Sequence, residues 1–389
     1  MLQAAQPPPA VALGVLSEFR RRAQRDAFRA SSHRGPFLVL KFLITAGRTN
    51  ATETEQAQHG DLLTLNKMAR ESRFLCAYKY LLWFEHCNTH FHDAFWAVAD
   101  VDTYVSIPHL VADLQSVEHS SAAILYGLIM WHCYVDEHEL VTHWCWGKWS
   151  ESDRTAVKMR QRIESCAADL RNGKHAASAT SCRLCPKGKP FCTDGVQKPD
   201  INAIKSGGLG SFPPFPFANG PLFAVSPTLG RLLLNSKLPR QYLRRLAALP
   251  RVRSVMDAER HNAKPVVLGG VGTGCYPAAD SVLGYWISAV AIATRTAVTL
   301  VNTPFMKQHH PWPSPQSLSN ASIVLHGLKG PRQEHYRQEA MQRSSGPFEP
   351  TQRVCGDCHR MGWCRWKSGP CMALNWRCCG APRRGYLGG

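Results

Sequence analysis

Asp100, Val101 and Asp102 stand at the end of the apolar run Phe95-Trp96-Ala97-Val98-Ala99 and just before Thr103-Tyr104-Val105. A short apolar run rich in strand formers predicts a buried strand, so both carboxylates are delivered together at its C-terminal edge. In an open α/β sheet that edge is where ligands bind. Two hard oxygen donors one residue apart can grip a divalent cation and leave its other positions to water and phosphate oxygens. That is chemistry suited to a nucleotide diphosphate. Asp-x-Asp alone is a weak motif, and a strand end followed by a solvated turn is the plain alternative.

The elements that must position these carboxylates are legible around them. Residues 55–63, with His59-Gly60-Asp61 at their centre, are read as a second strand. Residues 71–87 carry helical periodicity, with Phe74, Leu75, Tyr78, Leu81, Leu82 and Phe84 on one broad face. Further strands are expected at 36–45 and 122–130. The order strand, helix, strand, acidic edge is that of an α/β sheet.

A chain of 389 residues, 44% hydrophobic and 19% charged, has enough apolar material for one large α/β core with an elaboration. The formal charge of +18 raises the question of nucleic acid. The basic residues are scattered, however, with no aromatic-interleaved stripe, and attraction to phosphates or an acidic glycan accounts for the sign equally well; no nucleic-acid partner is expected. The most apolar stretch, 282–301, is interrupted by Thr294-Arg295-Thr296 and does not span a bilayer. Residues 1–14, with Pro7-Pro8-Pro9 and no charged start, do not read as a signal peptide.

Several segments together resemble the beta-1,3-galactosyltransferase family of inverting, metal-dependent glycosyltransferases. They are Arg21 to Arg29, His59-Gly60-Asp61, Lys79, Asp100-Val101-Asp102, the strand-like run Pro216 to Ser226 with Asn219-Gly220 inside it, Ala279-Asp280-Ser281 ahead of a helix at 281–292, and Val324-Leu325-His326. No one motif is specific; order and spacing carry the likeness, which covers most of the chain. Three departures stand out. Ser31-Ser32 replaces the family's Thr-Trp, Val101 replaces the middle Asp of the edge triplet, and Ala279 replaces the first of two carboxylates before the late helix. Val101 is tolerable because its side chain faces away from those of Asp100 and Asp102.

The resemblance implies an α/β, GT-A-like Rossmann-type mixed sheet flanked by helices, with an insertion and a Cys-rich C-terminal tail. It divides the chain into a leader of unknown role at 1–16, a nucleotide-sugar-binding half at 17–130, a Trp- and Cys-containing insertion at 131–211, an acceptor half at 212–345 and the tail at 346–389. It implies a hexose, galactose or N-acetylglucosamine, moved from a UDP-sugar to a hydroxyl of a glycan or glycoprotein, with inversion and a beta-1,3 linkage. Asp102, Asp100 and His326 would hold Mn2+, or Mg2+. Lys79, Arg25 and Arg29 would support the donor phosphates or the sheet. Asp280 would be the general base, its alternative role being the N-cap of the helix that follows. The family's location is the Golgi lumen, as type II membrane proteins, with an anchor ahead of the catalytic region that this chain does not display.

Fifteen cysteines need a home. Cys355, Cys358, Cys364, Cys371, Cys378 and Cys379 crowd the tail, and Cys182, Cys185 and Cys192 lie in a polar stretch of the insertion. In an oxidising lumen these are disulfides that hold loop-rich additions together; in the cytosol Cys355, Cys358 and Cys364 with His359 could bind zinc. The sequons at Asn50 and Asn320 favour the lumen. Trp144, Trp146 and Trp149 are either sugar-stacking faces or ordinary core, and His132, His138 and His143 lack ligand spacing. A polar helix is expected at 153–170. Two rivals to the transferase stay open: an inactive glycan- or nucleotide-sugar-binding relative, suggested by Ala279, and a zinc-dependent binding module, suggested by the tail.

Overall fold

The structure, a computed structural model, describes residues 10–31, 37–45, 49–65, 76–117, 122–132, 134–136, 141–143, 215–249, 252–253, 279–303, 306–307, 323–326, 338–339, 341–342, 354–357 and 376–380. Its strands are β1 (Val11–Leu16), β2 (Leu38–Thr45), β3 (Leu62–Leu65), β4 (Phe95–Asp100), β5 (Thr103–Val105), β6 (Ala123–His132), β7 (Tyr134–Asp136), β8 (Val141–His143), β9 (Phe215–Val225), β10 (Val298–Asn302), β11 (Met306–Lys307), β12 (Val324–His326), β13 (Val354–Asp357) and β14 (Trp376–Gly380). Its helices are α1 (Arg22–Ser31), α2 (Asn50–His59), α3 (Cys76–His90), α4 (Ile107–Gln115), α5 (Pro227–Asn235), α6 (Leu238–Ala248) and α7 (Ala279–Thr294).

Nine strands make one sheet in the order β13-β14-β10-β6-β9-β4-β1-β2-β3. The pairings are parallel except those of β9 with β4 and β6, and of β13 with β14. This is an α/β fold with a mostly parallel central sheet flanked by helices. A small sheet, β11-β12-β5, sits off the end of β4, with β12 antiparallel to β5.

Alternation along the strands feeds two apolar layers. Val98 joins Trp96, Phe223 and the inner faces of α3, α5, α6 and α7, which bring Trp83, Leu229, Tyr242 and Trp286. Ala97, Ala99 and Val101 join Phe42, Tyr126, Phe28 of α1, and Leu110 and Leu114 of α4 on the other side. Gly284 lets α7 lie against β9, since a Cβ there would collide with Phe217 and the Pro216 carbonyl.

Four expectations are corrected. Residues 11–16, set apart with a leader, are β1, paired with both β2 and β4; the run VALGVL is almost wholly buried, and its Gly14 leaves room for Trp83. Residues 55–59 belong to a helix, not a strand. Thr49 and Thr52 form a reciprocal capping box at the start of α2, and Gly60 ends it in the left-handed region at φ 67°, so β3 begins only at Leu62. The tail is not wholly an appendage, because its β14 extends the main sheet alongside β10. The late helix starts at Ala279, not at 281, which puts Asp280 inside the first turn.

Other expectations hold in outline. Strands at 36–45 and 122–130 correspond to β2 and β6, and the helix at 71–87 to α3, whose residues 71–75 lie outside the described set. The polar helix at 153–170, the tryptophans 144, 146 and 149, and Cys182, Cys185 and Cys192 lie outside the described residues, as does the rest of the insertion apart from residues 131–132 of β6 and strands β7 and β8. Among the described residues no helix is long and apolar enough to cross a membrane.

Candidate functional site

After β1 the chain builds outward to β2 and β3, then returns to lay β4 on the other side of β1. The carboxyl ends of β1 and β4 therefore flank a reversal in strand order, the place where open α/β sheets bind ligands. Leu16 pairs with Asp100 across this point. Asp100 is half-buried at the tip of β4, Asp102 is buried just beyond it, and Val101 packs into the opposite layer. β4 ends at Asp100, and Val101 and Asp102 form the turn that leads into β5.

Lys79, Arg25 and Arg29 are given to the framework of this edge. Lys79 is buried in α3, and its Nζ donates to the Ser17 carbonyl just past β1 at 2.8 Å. Arg25 is fully buried; it grips Glu55 through Nε and Nη2 and donates to Ser17 Oγ and to the carbonyls of Glu18 and Phe19. Arg29 donates to Asp61 at 2.8 and 3.0 Å, to Glu55 at 2.7 Å and to Asp26 at 2.5 Å. Burial by itself would push the Glu55 carboxyl up, but the hydrogen bonds and charges of Arg25 and Arg29 hold it below its ordinary value. Of the two uses expected for these cations, support of the sheet is the one seen: Arg25 and Arg29 clamp α1 to α2 through Glu55, and Arg25 with Lys79 holds the 17–19 turn. Their guanidinium groups are spoken for before any phosphate arrives.

Asp280 comes to the same edge from far along the chain. β9 carries a bulge, where the pairing with β6 jumps from Phe223 to Asn219. Within it Gly220 has φ 87°, a left-handed backbone that glycine adopts freely. Its N–H donates to Asp280 Oδ2 at 3.0 Å, and the Ser281 N–H donates to Oδ1 at 2.7 Å. Ala99 pairs with Leu222, which sets this bulge beside Asp100. Burial raises the proton affinity of Asp280; the two N–H groups oppose it, and the nearby charge of Asp100 adds to it, leaving the carboxyl above its ordinary value. Asp100 and Asp280 thus feel each other across the bulge.

Ser226, which ends the Gly-containing strand, is a joint. Its Oγ caps α5 by accepting from Leu229, accepts from the Ile124 N–H at 2.9 Å and donates to the Ala122 carbonyl at 2.8 Å.

His326 ends β12 and its backbone pairs with Thr103, the residue after Asp102. The backbone of the third expected ligand is therefore brought to the carboxylate edge, while its side chain lies outside the described set. Among the described residues no three His, Cys, Asp or Glu side chains are grouped as a metal site. The alternative bases Asp257 and Glu259 are also outside the described set.

The sequence reading passed over Tyr80. It is buried in α3 beside Lys79, with its ring edge-on to Phe223 at 5.0 Å. Its hydroxyl is held neutral to well above its usual range, first by burial and then by the charges of Asp100 and Asp280. A polar-tipped aromatic next to a buried lysine was the available signal. It was masked by the run of large apolar residues around it.

Cys76, Cys378 and Cys379 are disulfide-bonded, and Cys87 is free and buried. No known protein-family model matches the chain, and no curated protein matches it either.

Proposed function

We propose that this protein is an inverting glycosyltransferase of GT-A type, moving galactose or N-acetylglucosamine from a UDP-sugar to a hydroxyl of a glycan or glycoprotein, as its resemblance to the beta-1,3-galactosyltransferases implies. The observation that carries this reading is the meeting of Asp280 with Asp100 at the carboxyl edge of the β1/β4 reversal. Inversion by single displacement needs an acidic edge that receives the diphosphate and a separate carboxylate that receives the acceptor proton. Asp100 with Asp102 provides the first and Asp280 the second.

In the reaction the acceptor oxygen attacks the anomeric carbon while the bond from that carbon to the UDP oxygen breaks. The electron pair leaves with UDP, and the acceptor proton passes to Asp280. The two N–H groups on Asp280 hold its carboxylate in place, and its raised proton affinity makes it a better base than a solvated aspartate. Hard carboxylate oxygens at the strand end suit a divalent cation, and an imidazole among them suits Mn2+ better than Mg2+. Asp102 and Asp100, with His326, would hold it, and it would supply charge neutralisation for the leaving diphosphate. Arg25 and Lys79 keep the 17–19 turn in place beside that edge, and Arg29 ties α1 to Glu55 of α2.

The disulfides at Cys76, Cys378 and Cys379 favour an oxidising compartment, in line with a Golgi lumenal location. They also weigh against zinc as the organiser of the tail. The deciding experiment is a donor screen with Mn2+ across UDP-galactose, UDP-N-acetylglucosamine, UDP-glucose and UDP-glucuronate, read by UDP release. Release from one donor, dependent on an acceptor sugar, supports the assignment. UDP binding with no release from any donor makes the protein a nucleotide-sugar-binding relative instead.

A further inference from the structure

Between Pro227 and Met256 the chain carries no Asp or Glu. α6 lies in this stretch and buries Leu238, Tyr242, Leu243 and Leu246, with Tyr242 against Tyr285 and Trp286 of α7 at ring separations of 6.0 and 5.7 Å. Its other face is basic. Lys237, Arg240 and Arg244 follow one another at i, i+3 and i+7, a spacing that lines them along one stripe of a helix, and Arg245 flanks the stripe. All four are exposed, as are Arg231 on α5 and Arg253 beyond α6. Arg240 is held by Glu85 of α3 at 3.0 Å, and Arg231 donates to the His92 carbonyl at 3.2 Å. Lys237, Arg244, Arg245 and Arg253 make no ion pair among the described residues. Lys237 also stands at the N-cap of α6 with no side-chain acceptor to offer, and no acid follows in the first turn. Cations at a helix N-terminus oppose a dipole that favours an anion there, and Arg240 and Arg244 repel each other at i, i+4. The stripe is therefore unfavourable by itself and is relieved by negative charge spread along it.

We propose that the exposed face of α6 is a docking surface for an acidic glycan, a chain bearing sulfate or carboxylate groups whose terminal sugar is the acceptor. This rests on the transferase reading and adds the class of acceptor. Tyr242 packs on the second turn of α7, about 7–8 Å along that helix from Asp280 in its first turn. The basic stripe thus lies on the outer side of the helix that delivers the base, within reach of a glycan several sugars long. Guanidinium groups take sulfate and carboxylate through paired, charge-assisted hydrogen bonds. Single-stranded nucleic acid is bound by aromatic platforms interleaved with cations, whereas the aromatic of α6, Tyr242, is fully buried beneath the helix.

The test is binding of heparin, a sulfated glycan, by the full chain, with single-stranded DNA of similar length as the competing polyanion. Arg244→Glu/Arg245→Glu reverses two exposed charges on α6; Arg295→Glu/Arg377→Glu makes the same change in net charge at exposed residues elsewhere. Wild type should bind heparin with an affinity that falls as salt screens the charges. The α6 variant should lose roughly tenfold or more, from two exposed ion pairs lost and two repulsions gained, and the control about threefold or less. In the transfer assay KM for a sulfated acceptor should rise by the same factor as the heparin affinity falls, while KM for the UDP-sugar and for a neutral acceptor keeps its wild-type value. Equal losses in the two variants overturn the proposal, as do an unchanged heparin affinity in an α6 variant of wild-type thermal midpoint and tighter binding of DNA than of heparin. Heparin binding that depends on α6, with no UDP release from any donor whatever the acceptor, keeps the docking surface and overturns the transferase reading instead.

Discussion

Asp280→Asn separates a base from a structural acceptor. The carboxylate uses both oxygens, Oδ2 for the Gly220 N–H and Oδ1 for the Ser281 N–H. An amide has one such oxygen, so it serves one N–H and turns its own NH2 toward the other, a loss of about 1–3 kcal/mol. Against this, burial and Asp100 make the charge of Asp280 costly, and the neutral amide is free of that cost. The net expectation is a loss of about 1–2 kcal/mol and a fall in thermal midpoint of a few degrees. Turnover should drop far more, by roughly a hundredfold to ten-thousandfold, equivalent to about 3–5 kcal/mol of barrier. The assay is kcat by UDP release per folded molecule, with the folded fraction measured by calorimetry. The pH dependence runs in two directions. A carboxyl whose folded-state value is raised stabilises the fold fully below its unfolded value of about 3.9 and loses that contribution as pH rises through the folded-state value. Turnover needs the ionised form and should rise over the same interval. Near-wild-type kcat in Asp280→Asn, with no change in the acid limb, would refute the assignment, leaving Asp280 as an anchor for the β9 bulge and moving the search to Asp257 or Glu259.

Asp102→Ala should abolish transfer and sharply weaken Mn2+-dependent UDP binding, with Asp100→Ala slightly less damaging; titration calorimetry giving unchanged UDP affinity for Asp102→Ala would remove it from the metal. Mass spectrometry of unreduced peptides should find Cys76, Cys378 and Cys379 in linked pairs, and a chelator should leave the thermal midpoint where it was, whereas stoichiometric zinc with free thiols would reverse the disulfide reading. Glu55→Gln leaves Arg25 and Arg29 without their shared carboxylate and should cost about 3–5 kcal/mol by urea denaturation. Since the Glu55 carboxyl is held below its ordinary value of 4.5, its contribution is present above that pH and fades as pH falls through the folded-state value, so wild type and Glu55→Gln should converge in stability in acid.

The edge Asp100-Val101-Asp102 was legible because a short, continuous apolar run rich in strand formers marks a buried strand, which ends where the first carboxylate begins. The helix before it was legible from its apolar periodicity. α2 was not, because a helix that is polar all round has no periodic face to read; the Thr49–Thr52 capping box holds its start and Glu55 pins it to the α1 arginines. β1 was set aside with the proline-rich start it follows, yet it pairs with both β2 and β4 in the middle of the sheet. The acidic edge and the carboxylate of Asp280 could be named from their residues, but what they do to each other could not. Their meeting depends on the bulge at Gly220, on Gly284 admitting α7 to β9, and on antiparallel β9 lying between β4 and β6. These are contacts between segments distant in the chain, where side-chain volume and backbone geometry decide and local sequence preference has no say. Tyr80 belongs to the same class: in the sequence it is one aromatic among many, and only the packed sheet sets its ring edge-on to Phe223.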